Sequence, residues 1–321
     1  MIIITGAAGF IGSCLVSKLN SLGKTNLVLV DDFSNVEKNK NLTDKQFVNK
    51  IERSVFVDWF KYNNSRVSAI YHIGARTDTA EFDVTIFDKL NLNYSKSLWE
   101  ICVENKIPFI YASSAATYGM GEFGFEDNHD IVEKLNPLNP YGNSKNDFDK
   151  WVLEQMFQPP FWVGFKFFNV YGPNEFHKGT MASVIFHTVQ QINATGEMKL
   201  FRSHNPAYNN GEQLRDFVYV KDVVEVLIFI MQEKKQSGLY NLGSGESRMF
   251  NDLVNITFSA LAKESSISYI DTPEGIRDKY QYFTEANMSK LKEVGYTKGF
   301  TTLENGVKDY VKNYLIDRNY Y

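Results

Sequence analysis

Cysteine is scarce in this chain of 321 residues, and its two copies, Cys14 and Cys102, stand far apart inside helical patterns. That spacing builds neither a zinc cluster nor a redox motif, so both read as core packing. Also missing is a hydrophobic run long enough to cross a bilayer. The longest, "VVEVLIFIM" at 223–231, is about half of the roughly 20 residues required and contains Glu225, so it reads as a buried helix. Positive charge is not in excess, with 34 Lys and Arg against 38 Asp and Glu and a net charge of −4. A mildly acidic field attracts neither nucleic acid nor an acidic membrane surface, and neither is expected as a partner. Met1 runs directly into "IIIT", which reads as a core strand rather than a secretory leader, and a cytoplasmic location is expected. There is no internal repeat and no low-complexity linker.

What is present is 43% hydrophobic residues, enough to fill one large α/β unit or a large domain with a smaller partner. Short β-rich runs alternate with helical patterns: "MIIIT", a helix from about Ile11 to Leu22, "NLVLVDD", "VSAIYHIG", a helix around 88–105, and "PFIYASS". A helix after Tyr141 and a strand "FWVGFKFFNV" continue the series. Such alternation predicts a Rossmann-type, doubly wound parallel sheet in an α/β fold. Beyond Gly172 the rhythm loosens into a helix from about Met181, "MKLF", "RDFVYV", a helix at 222–233, "GLYNLGSG" and two late helices. This predicts a dinucleotide-binding domain over 1–172 and a smaller α/β substrate-binding lobe over 173–321, with segments near 216–222 and 239–246 returning to the first.

"TGAAGFIG" places Gly6, Gly9 and Gly12 after the first strand and at the start of a helix. Glycine permits the tight turn and close backbone approach, while a helix N-terminus offers N–H groups to a pyrophosphate. Asp31 and Asp32 end the next strand, where a carboxylate bonds the adenosine ribose and favours NAD over NADP. Lys38, Lys40 and Arg53 follow, and Lys38 and Arg53 are suited to a 2′-phosphate, so these residues alone leave NAD and NADP open.

"YGNSK" sets Tyr141 and Lys145 four apart on one helix face. An ammonium near a phenol favours the phenolate, which predicts Tyr141 as a proton carrier for a substrate hydroxyl. Ser114, ending a strand in "YASSAATYG", is placed to hydrogen-bond the same oxygen. His72, at a strand end, reads as structural, and His129, in a loop, as solvated. His187, inside an apolar helix, reads by default as a core histidine.

Glycine motif, strand-end serine and Tyr-x-x-x-Lys pair together resemble the extended short-chain dehydrogenase/reductase family of NAD-dependent epimerases and dehydratases. "MIIITGAAGFIGS", "PFIYASSAATYG", "FFNVYGPNEFHKGTMASV", "RDFVYVKDV" and "YNLGSG" extend the resemblance to nearly the whole chain, and "HKGTMASV" points within it to the enzymes that epimerise ADP-glyceromanno-heptose at C6. The resemblance implies transient oxidation to a 6-ketone with NADP as the cofactor, in supply of heptose for the lipopolysaccharide inner core. Residues matching cofactor contacts are Phe10, Ile11, Asp31, Asp32, Lys38, Arg53, Ile73, Gly74, Ala75, Arg76, Thr77, Asn91, Tyr141, Lys145, Val170 and Lys178. Those matching substrate contacts are Asn169, Lys178, Thr180, His187, Phe201, Arg202, Ser203, His204, Arg215 and Tyr280. Asp32 stands where the family carries an amide, Arg76 where it carries a small residue, and two loops, "GMGEFGFEDNHDIVEKL" and "SHNPAYNNGEQL", are lengthened.

Hydride returned to the opposite face of a ketone leaves the oxygen pointing in a new direction, so one proton carrier is insufficient. Lys178 is therefore expected as a second, beside Tyr141. No metal is expected, and a homo-oligomer is. The alternatives are another nucleotide-sugar enzyme, such as a UDP-hexose 4-epimerase, or a non-catalytic cofactor-binding scaffold. A 4,6-dehydratase fits less well, since "AAT" stands where that family has Thr-Asp-Glu.

Overall fold

β-branched residues dominate "IIIT" and "LVLVD", and in the computed structural model these become the adjacent central strands β1 (Ile2–Thr5) and β2 (Leu27–Asp31). The structure describes residues 1–79, 81–277 and 280–321. β1 and β2 join β3 (Asn49–Glu52), β4 (Ala69–His72), β5 (Phe109–Ser114) and β6 (Trp162–Phe167) in a parallel sheet. With β10 (Gly238–Leu242) at the far edge, the order is β10-β6-β5-β4-β1-β2-β3, the doubly wound sheet that the alternation predicts. Neighbouring residues on a strand point to opposite faces, and the core divides accordingly. Ile4, Leu29 and Ile110 pack into one apolar cluster, and Ile3, Val28, Val30 and Phe109 into another. Both faces are therefore covered and the strands read as continuous apolar runs.

The order reverses between β1 and β4, and a cleft opens at the carboxyl ends of these strands. This is where a doubly wound sheet binds its ligand. The glycine segment leaves β1 at this point and feeds the helix Phe10–Ser21, whose inner face packs on the apolar helix Val220–Glu233. Lys18 and Glu225 close the rim of that contact at 3.2 Å, which gives the lone acid of "VVEVLIFIM" its partner. Cys14 and Cys102 are buried and free, and burial pushes the Cys14 thiol up to about 12, so both behave as small apolar residues.

"FWVGFKFFNV" is not one strand. It leaves the large sheet after Phe167 and, beyond Phe168, becomes β7 (Asn169–Tyr171), which pairs with β9 (Leu214–Tyr219) in a three-stranded sheet completed by β11 (Ser247–Met249). A further parallel pair links β8 (Met198–Phe201) to β12 (Ile267–Ile270). β7 follows the carboxyl end of β6 after one residue, so the three-stranded sheet starts from that edge. Among the described residues no helix is long and apolar enough to cross a membrane, and no cluster of His, Cys, Asp or Glu is suited to a metal ion.

Candidate active site

A cleft of about 730 Å³ opens at the carboxyl ends of β1, β2, β4 and β5. Its floor is the glycine turn. Gly6 has φ of 66°, and a Cβ there would lie 2.5 Å from Gly74 Cα, while a Cβ on Gly12 would lie 2.1 Å from the Gly6 carbonyl. Only glycine allows the first turn of the helix to approach the β4 end so closely. Gly9 starts that helix with no side-chain cap, leaving its N-terminal N–H groups directed to the cleft end of the sheet. Such a cradle fits the pyrophosphate of a nicotinamide dinucleotide.

Acidic and basic side chains meet at the end of β2. Asp31 accepts the N–H of Ala8 and of Asp32, each at 2.8 Å, and pairs with the Lys38 ammonium. Asp32 lies 3.4 Å from Arg53, and the Ser34 hydroxyl and N–H hold its carboxyl below the usual range. Each acid is thus matched by a cation in one wall. The opposite wall carries Ile73, Gly74, Ala75, Arg76 and Thr77. Asn91 does not line the cleft; it sits behind this wall, accepting from Arg76 N at 2.8 Å and donating to Arg76 O at 3.0 Å and to Ser144 Oγ at 3.0 Å. Arg76 itself turns to Asp78 and Glu81.

Tyr141, Lys145 and Ser114 line the cleft's inner end, together with Phe167, Phe168 and Val170. Asn139 caps the helix Pro140–Glu154, and Pro140 occupies its first turn, so Tyr141 emerges beside the end of β5. The Lys145 ammonium donates to the Ala112 carbonyl at 2.7 Å, and burial lowers it to about 8. Tyr141 is held above its ordinary value by burial, with the Ser114 hydroxyl pulling the other way. The Lys145 ammonium is turned toward β5, and the Ser114 hydroxyl is a group that favours the phenolate of Tyr141.

Lys178 reaches the cleft from the other side, on the short turn Phe176–Met181, with its ammonium 4.9 Å from the Phe10 ring. Two buried residues aim it. Asn174, with φ of 75°, bends the chain and bonds Ser13 Oγ at 2.9 Å. Glu175, fully buried, lies 3.5 Å from the Lys178 ammonium and accepts from Ser183 N, Ser183 Oγ and Tyr310 OH. His177 also lines the cleft, bonded to Asn41 at 3.2 Å and lowered to about 4 by burial and by Lys38 and Lys178. Sequence reasoning passed over Glu175 and gave His177 no role, although both stand close to Lys178 in "NEFHKG".

Among the substrate candidates, Ser114 and Lys178 line this cleft. Asn169 and Thr180 are exposed, and His187 is half-buried with a ring nitrogen 3.3 Å from the Thr180 carbonyl, not the core position its helix suggests. Phe201, Ser203, His204, Arg215 and Tyr280 gather elsewhere. The Arg215 guanidinium is buried between the rings of Phe250 and Tyr280 and donates to the carbonyls of Leu214 and Gln281. Tyr280 meets Phe201 edge to face, while His204 N–H donates to Tyr282 OH at 3.0 Å. Arg202 is exposed and pairs with Asp271. Tyr282 and Tyr208, which stack tilted at 5.2 Å, were not singled out by sequence; Tyr208 belongs to the lengthened loop. His72 is buried between Thr5 and Ser95, whereas His129 is not solvated and accepts the Leu239 N–H at 3.0 Å at the edge strand β10.

A doubly wound sheet with a glycine cradle, paired acids on the second strand and a Tyr-Lys helix at the inner end defines a nucleotide-cofactor-dependent enzyme of redox type. Comparison narrows the class: residues 2–243 match the NAD dependent epimerase/dehydratase family, and the chain belongs to it. It is 46% identical to the ADP-L-glycero-D-manno-heptose-6-epimerase of Fusobacterium nucleatum over 100% of both chains. To the protein of the same name from Nitratidesulfovibrio vulgaris it is 47% identical over 98% of both. The crystal structure of the Helicobacter pylori ADP-L-glycero-D-manno-heptose-6-epimerase superimposes with a TM-score of 0.81 at 30% identity, covering 97% of this chain and 95% of that one.

Proposed function

We propose that this protein interconverts the C6 epimers of ADP-glycero-manno-heptose, converting ADP-D-glycero-D-manno-heptose to ADP-L-glycero-D-manno-heptose. The observation that carries this reading is the presence of two proton-carrying side chains, Tyr141 and Lys178, brought into one cleft from opposite parts of the fold. A 4-epimerisation reading leaves Lys178 without a role. A nicotinamide cofactor, proposed as NADP on account of Lys38 and Arg53, would be held by the glycine turn and the end of β2 and would supply the hydride acceptor and donor. In its phenolate form, which the Ser114 hydroxyl favours against the effect of burial, Tyr141 takes the proton of the C6 hydroxyl as C6 is oxidised, with Ser114 hydrogen-bonded to the same oxygen. When C6 is reduced from its other face, Lys178 supplies a proton to the reoriented oxygen. Phe167 and Phe168 present apolar surface beside the reacting carbon and restrict water.

Residues 1–172 serve the cofactor in this scheme, and 173–321 mainly the sugar nucleotide. Arg215 and Tyr280 hold the ADP portion, with Asn169, Thr180, His187 and the segment from Phe201 to His204 around the sugar. The work would belong to the cytoplasm and to heptose supply for lipopolysaccharide, carried out by a homo-oligomer. The test is incubation of the purified protein with ADP-D-glycero-D-manno-heptose and chromatographic resolution of the two C6 epimers. Equilibration of the two is expected. No conversion there, with interconversion of UDP-glucose and UDP-galactose instead, would overturn the substrate.

A further inference from the structure

One ion pair lies beneath the site and takes no part in the chemistry above. Asp149 is one helical turn beyond Lys145, as Lys145 is beyond Tyr141, so the three share a face of the helix Pro140–Glu154. Its carboxylate is fully buried and meets the Lys166 ammonium of β6, also buried, at 2.7 Å. Ser113 Oγ donates to the same oxygen at 2.7 Å, and Tyr111 OH to the other at 2.9 Å. Lys166 donates also to Thr117 Oγ1 at 2.8 Å, and that hydroxyl donates to the Ser114 carbonyl at 2.8 Å. The pair therefore ties the helix of Tyr141 and Lys145 to the strand that ends in Ser114. A buried pair of charges gains little net stability over an apolar pair of similar size, so its presence here calls for another role.

We propose that Asp149 and Lys166 are positioning residues that set the charge felt by the Tyr141–Lys145 pair. Lys145 faces Tyr141 and Asp149 on its own helix and His72 of β4, while the Asp149–Lys166 pair meets Tyr111 of β5 and, 5.1 Å from the Lys166 ammonium, the ring of Tyr118. His72 is buried and neutral, and Tyr111 and Tyr118 are driven far above the usual phenol range by burial, which leaves Asp149 and Lys166 as the fixed charges. Asp149 shares a helix face with both groups, and its charge opposes the effect of burial on Lys145 and raises Tyr141. Removing the carboxylate must then lower both groups, and removing Lys166 must raise them.

The experiment is a lysine-labelled NMR titration of Lys145, assigned with Lys145→Met, beside the pH profile of kcat. In Asp149→Asn the Lys145 midpoint should fall from about 8 by about one pH unit. In Lys166→Met it should rise, and in the double variant, which strands no charge, it should fall by less than in Asp149→Asn. Both limbs of the kcat profile should move with it. Should a single variant fail to fold, the smaller downward movement in the double variant decides. Unmoved midpoints with a uniform loss of activity would reduce the pair to a structural brace and overturn the proposal. The inference rests on Tyr141 and Lys145 handling the proton. Retained turnover in Tyr141→Phe would sink that reading by itself, whereas a dead Tyr141→Phe with an unmoved Lys145 in Asp149→Asn would sink only this one.

Discussion

Lys178 and Tyr141 approach the cleft from different elements, so each can be removed without dismantling the other's support. Tyr141→Phe and Lys178→Met are each expected to reduce epimerisation by about three orders of magnitude, the upper range for a single acid or base, while cofactor content persists. Their losses should not multiply, because each serves one step of a shared cycle. Near-normal turnover in Lys178→Met with weakened substrate binding would leave Lys178 as a ligand only. At the ribose end two acids and two cations cancel within a few ångströms, and a 2′-phosphate meets no net repulsion there. Mass analysis of the cofactor released on denaturation should find NADP, and NAD alone would contradict the assignment. Lys38→Ala exposes the Asp31 charge and should shift preference toward NAD by about tenfold, the effect of one charged hydrogen bond of ~1.5 kcal/mol.

Elements, more than single residues, decide how Lys178 is delivered. Ser183 caps the helix Val184–Thr195 by accepting from Phe186 N at 3.3 Å and donates to Glu175, so the cap and the ion pair of Lys178 share one carboxylate. Ser183→Ala should cost about 1 kcal/mol of stability as a lost cap and also lower kcat, with a smaller effect on cofactor retention. Equal kcat in the variant would show that the cap and Lys178 are uncoupled. The glycine turn, Asp31 and Tyr141 were legible in the sequence because each belongs to a local pattern of fixed spacing, whereas Lys178 was singled out by the resemblance of "HKGTMASV" and by the need for a second proton carrier. Glu175, Asp149 and Lys166 were not, since their roles depend on partners distant in the chain, such as Tyr310 for Glu175 and Lys166 for Asp149. The same limit hid the break at Phe168, where a continuous strand-like pattern changes sheets because its neighbours Leu242 and β9 belong to different sheets. β3 was missed as well, its "NKIE" being exposed at three of four positions and lacking a strand pattern.

At the scale of the whole molecule, three histidines join separate parts of the fold in neutral form. His72 links β4 to Thr5 and Ser95, His129 takes the N–H of Leu239 on β10, and His177 links the Lys178 turn to Asn41. Burial is the main cause in each case, lowering His72 to about 3 and the other two to about 4, against an ordinary 6.5. In the unfolded chain they take up protons near pH 6.5, and in the fold they do not until much lower. The unfolded state thus binds more protons below 6.5, so stability is complete above that pH and is lost as pH falls toward 4. Buried Asp127, Asp216 and Asp222, raised by desolvation, pull in the opposite direction between the ordinary 3.8 and their raised values, and so work against the histidines toward the acid end of the window. The urea midpoint of the holoprotein should therefore fall between pH 7 and pH 5, with proton uptake on unfolding approaching three. His129→Gln keeps an acceptor for Leu239 N–H while removing one titrating ring, and should reduce that pH slope by about a third. A midpoint independent of pH over this range would mean that these rings are not held neutral in the fold.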